Sequence, residues 1–132
     1  MIKKFDRLLT AMITPFDAFG NVDYTQAKKL AKNLLDSGSD GVVVAGSTGE
    51  YSTLNHDEKL KLFNEVKSAV GDKGMVVAGT DNYSTAESIE LTKLTEKTDI
   101  DACMLVVPYY DRPTQDGLYE HFKSIANATH LP

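Results

Sequence analysis

At 132 residues the chain is one domain at most, and its 42% apolar content is enough for a sizeable core. A formal charge of −5, from 14 basic and 19 acidic side chains with no basic or aromatic-basic cluster, excludes a general nucleic-acid binder. Cys103 is the single cysteine, which excludes a disulfide framework and a cysteine metal site. No run approaches transmembrane length, and Met1-Ile2-Lys3-Lys4-Phe5-Asp6 has no apolar leader core, so a cytoplasmic protein with no membrane partner is expected.

Residues 8–14, Leu-Leu-Thr-Ala-Met-Ile-Thr, predict a short buried strand that Pro15 stops. Asp17-Ala18-Phe19-Gly20-Asn21 is a turn cluster. Asp23 with Gln26 resembles a capping box, and Ala27, Leu30, Ala31, Leu34 and Leu35 form one helical stripe behind it. After Ser37-Gly38-Ser39-Asp40-Gly41, the run Val42-Val43-Val44-Ala45 predicts a fully buried strand.

That strand leads into Gly46-Ser47-Thr48-Gly49-Glu50, where two hydroxyls stand between glycines. Gly46 and Gly49 have no Cβ, so a ligand can approach the backbone and either residue can take φ > 0. A small carboxylate or phosphate would fit there. On these residues alone, a strand-to-helix turn with Ser/Thr capping explains the segment as well.

The pattern then repeats. Asn55 and Glu58 cap a helix with Leu62, Phe63, Val66, Ala69 and Val70 on its apolar face. Met75-Val76-Val77-Ala78-Gly79 is the third strand, followed by Thr80-Asp81-Asn82. Ser84 and Glu87 cap a helix expected to turn Ala86, Ile89 and Leu94 inward. Residues 102–107 are the fourth strand, ending at Pro108-Tyr109-Tyr110-Asp111-Arg112-Pro113. A last helix carries Leu118, Phe122, Ile125 and Ala126 on one side.

Continuous apolar strands separated by amphipathic helices predict an α/β fold with a parallel sheet. Right-handed crossovers in sequential order give about four βα units, the N-terminal half of a (β/α)8 TIM barrel, with residues 1–132 as a single partial domain. A doubly wound sheet is the alternative, but Gly-x-Gly-x-x-Gly is missing after the first strand. In a barrel the loops after the strands form the catalytic face, and here those loops are dense in hydroxyls.

Together these loops resemble the dihydrodipicolinate synthase group of pyruvate-dependent aldolases, which also contains N-acetylneuraminate lyase. Gly46-Ser47-Thr48-Gly49-Glu50 fits the whole group. The Pro108–Pro113 run, Gly117-Leu118-Tyr119-Glu120-His121-Phe122 and Leu54-Asn55-His56-Asp57-Glu58 lean towards dihydrodipicolinate synthase. The resemblance implies a lyase of the diaminopimelate and lysine pathway that holds pyruvate as an imine on a lysine and condenses it with aspartate semialdehyde.

It implies that Thr48 binds the pyruvate carboxylate, with Gly46 and Gly49 shaping the loop. Ser47, where many synthases carry threonine, joins a proton relay. Tyr110 is implied to be the relay tyrosine that reaches across a subunit interface in a homo-oligomer. No cofactor is implied, and His56, His121 and His130 show no metal-ligand spacing and are read as helix-start or surface residues. In some members a regulatory lysine binds near the positions of His56, Lys59, Tyr83, Glu87 and Tyr109. Here Tyr83 replaces the usual asparagine and Lys59 would repel a cation, which argues against lysine feedback.

The resemblance places the imine lysine on a sixth strand, beyond Pro132. The lysines at 3, 4, 28, 29, 32, 59, 61, 67, 73, 93, 97 and 123 fall on the N-terminal tail, on helices or in a turn, and are read as solvated. The 132-residue chain is therefore expected to be inactive alone and to need a complementary C-terminal half or a second copy. The alternatives are half of a sibling 2-keto acid lyase and a non-catalytic, self-associating half-barrel.

Overall fold

Four strands lie side by side in sequence order in the computed structural model, which describes residue 5 and residues 7–132. Lys3 and Lys4, with the reading of the first residues, lie outside the described residues. The strands are β1 (Leu9–Ala11), β2 (Gly41–Val44), β3 (Met75–Gly79) and β4 (Ala102–Met104), and every neighbouring pair is parallel. Between and after them run α1 (Tyr24–Asp36), α2 (His56–Val70), α3 (Thr85–Thr95) and α4 (Gln115–Ala126). This is the sequential βα order expected of half a barrel. No helix among the described residues is long and apolar enough to cross a membrane.

Side chains of β2 and β3 alternate between two faces, as a period of two requires. Val42, Val44, Val76 and Ala78 pack with Ala27 and Ala31 of α1 and with Leu62, Phe63, Val66 and Val70 of α2. Val43, Val77 and Ala102 point the other way, into a smaller cluster joined by Leu9 and Met104. The helices thus cover one face, and the other is the side a closed barrel would enclose.

Each helix begins at the residue type its backbone needs. Asn55 and Glu58 form a reciprocal box at α2, each side chain accepting from the other's N–H at 2.9 Å. Asp23, Ser84 and Thr114 accept from the N–H groups of Gln26, Glu87 and Gly117. At Asp23 only that half of the expected box forms.

Three expectations are corrected. The inner face of α3 is Ser88, Leu91, Thr92 and Thr95, whereas Ala86 is exposed and Ile89 and Leu94 are half-buried. Two of the three hydroxyls are absorbed locally: Thr92 donates to Thr80 Oγ1 at 2.8 Å and Ser88 to Asn82 O at 3.1 Å, while buried Thr95 Oγ1 has no partner among the described residues. Strands β1 and β4 are shorter than the apolar runs that announced them. The strands end at Ala11 and Met104, with one more ladder bond from Met12 N–H to Val43 O, and Leu8 and Ile13 are exposed.

Lys67 is buried rather than solvated. Its ammonium lies 2.9 Å from Asp101 Oδ2, which also accepts the Val76 N–H at 2.8 Å. That ion pair joins α2, the start of β3 and the residue before β4.

Candidate active site

The turn after β2 stands between β1 and β3 because the sheet order is sequential. Ala45 takes φ 52°, and Ser47–Gly49 forms one 3-10 turn. Glu50 is left-handed at φ 55°, and Tyr51–Thr53 forms a second 3-10 turn before Asn55 caps α2. The positive φ values therefore fall on Ala45 and Glu50, not on the flanking glycines. Gly46 has φ −82°. Gly49 is needed for space, since a Cβ there would stand 3.1 Å from Met12 O and 3.2 Å from Thr14 Oγ1.

Ser47 and Thr48 are exposed at the carboxyl end of β2, while Gly46 and Gly49 are buried beneath them. Gly49 N–H donates to Gly46 O at 2.9 Å, Glu50 N–H to Ser47 O at 3.1 Å and Tyr51 N–H to Gly46 O at 3.3 Å. The N–H groups of Ser47 and Thr48, at the start of the turn, donate to no described residue. Two exposed hydroxyl residues and two backbone N–H groups with no described acceptor thus stand side by side on one turn, a donor set that suits a carboxylate.

Tyr110 lies on the turn after β4. It is 96% exposed, with φ 73°. No hydrogen bond joins it to Ser47 or Thr48. The β2 and β4 turns meet instead through Tyr51 and Tyr109, whose rings pack edge-on with centroids 5.9 Å apart. Tyr109 also packs edge-on against Tyr83 at 5.3 Å. Tyr83, Tyr109, Tyr110 and Asp111 line an open cleft of about 510 Å³.

Behind Tyr51 the structure buries a charge that the sequence reading placed in solvent. Lys59 is 4% exposed, and its Nζ lies 5.5 Å from the centre of the Tyr51 ring. Burial lowers the lysine's pKa, opposed by the nearby Asp81 carboxylate. Asp81 is 2% exposed; burial raises its pKa, while its own backbone, Lys59 and Tyr51 pull it back. Burial also raises the Tyr51 phenol, and the Asp81 charge adds to the effect.

The signal for Lys59 was legible: residues 59, 62, 63, 66 and 70 share one helical face. Tyr51 and Asp81 carry no such pattern, because neither lies in a periodic segment.

Among the histidines, His121 is buried, with Nδ1 2.8 Å from Thr85 Oγ1, and is not the surface residue expected. His56 Nε2 lies 3.4 Å from Glu87 Oε2. Together with Glu90 they bring three ligand atoms within 4.8 Å of one another, a grouping that spacing within one segment does not reveal. Both glutamates are exposed, as carboxylates without a metal commonly are.

The family model described as the dihydrodipicolinate synthetase family matches residues 4–132. A 4-hydroxy-tetrahydrodipicolinate synthase of Dehalococcoides mccartyi (strain CBDB1) is 60% identical over 131 residues, covering 99% of this chain and 44% of that protein. Among solved structures, a dihydrodipicolinate synthase from Bacillus anthracis superposes with a TM-score of 0.95 at 47% identity, over 100% of this chain and 45% of its own. A chloride-inhibited dihydrodipicolinate synthase from Acinetobacter baumannii, complexed with pyruvate, gives 0.91 at 40% identity, over 95% of this chain and 43% of its own. The chain spans about 44% of the length of the curated relatives it matches.

Proposed function

The chain belongs to the dihydrodipicolinate synthetase family, and from that premise we propose that it supplies the carboxylate-binding half of a pyruvate-dependent aldolase. Its substrates would be pyruvate and aspartate 4-semialdehyde, condensed on the route to diaminopimelate and lysine. The observation that carries the reading is the β2 turn, where Ser47 and Thr48 offer two hydroxyls and two backbone donors at the strand-end face. The pyruvate complex of the Acinetobacter baumannii relative supports the choice of ligand.

In this reading Thr48 holds the carboxylate of bound pyruvate, and Ser47 passes protons to and from the carbonyl carbon's substituents. Tyr110 extends the relay from a second copy of the chain, which its exposed position allows. The nucleophile is a lysine outside residues 1–132. Imine formation needs an amine with a lowered pKa at the mouth of a dry site. Lys59 has a lowered pKa but sits on α2 behind Tyr51, not at the end of a strand. The protein would work in the cytoplasm without a cofactor.

The test is reductive trapping. Pyruvate and borohydride should leave the mass of the 132-residue chain unchanged and add one pyruvate to a full-length version. In that version Thr48→Val should slow capture about ten- to a hundredfold, since a hydrogen bond to a charged group contributes about 1.5–3 kcal/mol and each 1.36 kcal/mol is tenfold. A stoichiometric adduct on Lys59 of the short chain would move the nucleophile to α2. Unchanged capture in Thr48→Val would remove Thr48 from the site.

A further inference from the structure

The hydroxyl pair of the β2 turn is only as well aimed as the turn itself, and the turn's own hydrogen bonds do not fix it to the sheet. All three of its closing bonds run within residues 46–51. Besides the Tyr51–Tyr109 ring contact, two contacts tie its ends to β3 and to the segment after β1. On one flank, Ala45 O lies where a Cβ on Gly79 of β3 would stand, 2.1 Å from that ideal position, so the bare Cα of Gly79 gives the kinked strand end its seat. On the other flank, Thr14 is 5% exposed and donates its hydroxyl to Gly49 O at 2.7 Å, across 35 residues of chain.

We propose that Thr14 is a positioning residue for the Ser47–Thr48 turn. Its hydroxyl captures the carbonyl of the peptide that joins Gly49 to left-handed Glu50, where the first 3-10 turn closes and the second begins. With that peptide held, the turn cannot rotate about its glycine, and the hydroxyls of Ser47 and Thr48 keep one direction. Thr14 bonds to neither hydroxyl and acts through the backbone between them.

The residue is itself well held. Met12 N–H donates to Val43 O at 3.1 Å, extending the β1–β2 ladder. Asp23 N–H donates to Pro15 O at 2.8 Å, tying the next residue to the cap of α1. Thr14 therefore transmits the position of two elements to the turn. The tie would be lost with the hydroxyl alone, since valine keeps the shape and serine keeps the donor.

This inference rests on the carboxylate-binding reading of the turn for its effect on pyruvate, but the tie can be read without substrate. In a full-length version, amide hydrogen exchange at Gly49, Glu50 and Tyr51 should rise about tenfold in Thr14→Val and stay at the parent rate in Thr14→Ser. The KM for pyruvate should rise about tenfold in Thr14→Val and turnover should fall with it, because the same turn aims the Ser47 hydroxyl, and Thr14→Ser should restore both. Parent exchange rates in Thr14→Val overturn the proposal, and so does a Thr14→Ser protein that behaves like Thr14→Val. Faster exchange with unchanged pyruvate capture upholds the tie and instead removes the carboxylate role from the turn.

Discussion

His121 sits on α4 with 3% of its surface exposed, bonded to Thr85 through Nδ1 and with no partner at Nε2 among the described residues. Burial pulls its pKa below the ordinary 6.5. The folded chain therefore keeps the imidazole neutral, while the unfolded chain protonates it below about pH 6.5. Stability from this residue is fully present above that pH and is lost as pH falls through the lower folded value. The thermal midpoint should drop as pH falls below about 6.5, and His121→Gln should flatten the drop; an equal slope in both proteins would clear His121 of the effect. The phase of Leu118, Phe122, Ile125 and Ala126 did put His121 on their side, three residues after Leu118 and four before Ile125, and the sequence reading gave its polarity more weight than its position. The turn at Ser47 and Thr48 was legible as a turn, since a glycine-bracketed hydroxyl pair directly after an apolar strand ends that strand. What the strand could not tell was which residue bends: Ala45 and Glu50 take the left-handed conformation, and the glycines give room.

The α2 helix was legible to its cap, because Asn55 and Glu58 are spaced for a reciprocal box and the stripe behind them is apolar. Its two inward lysines follow the same phase, and the sequence reading gave lysine's charge more weight than its position. Lys67 shows what such a position requires. Its ammonium is desolvated against Asp101, so removing it breaks a buried ion pair. Lys67→Met should destabilise the chain by about 3 kcal/mol, read from urea unfolding, far more than a surface lysine would. A loss comparable to that of Lys93→Met, on the exposed side of α3, would show that the pair contributes little. The α3 helix was misread because its buried side alternates Leu91 with Ser88, Thr92 and Thr95, so the periodicity of apolar residues is weak where the periodicity of burial is strong. The hydroxyls of Ser88 and Thr92 bond to Asn82 and Thr80, in the loop that joins β3 to α3.

Taken whole, the molecule is a four-stranded parallel sheet with helices on one face, as the alternation of apolar runs and amphipathic stripes indicated. At its β4 edge Cys103 N–H donates to Pro132 O at 2.9 Å. The β1 edge has no paired strand among the described residues, and an unpaired apolar edge invites association. Small closed parallel barrels need about eight strands. The isolated 132-residue chain should therefore run as a dimer or larger species in light scattering, and a folded monomer at low concentration would refute this. The sequential strand order has a kinetic consequence as well. Strand starts at 9, 41, 75 and 102 are separated by 32, 34 and 27 residues, so each new strand docks on the one just made. The loops closed at each step are similar and short, and loop-closure entropy grows only with the logarithm of length. No step waits for a distant partner, so β2 and β3 can pair while later residues are still being synthesised, and the sheet can grow one unit at a time as the chain leaves the ribosome.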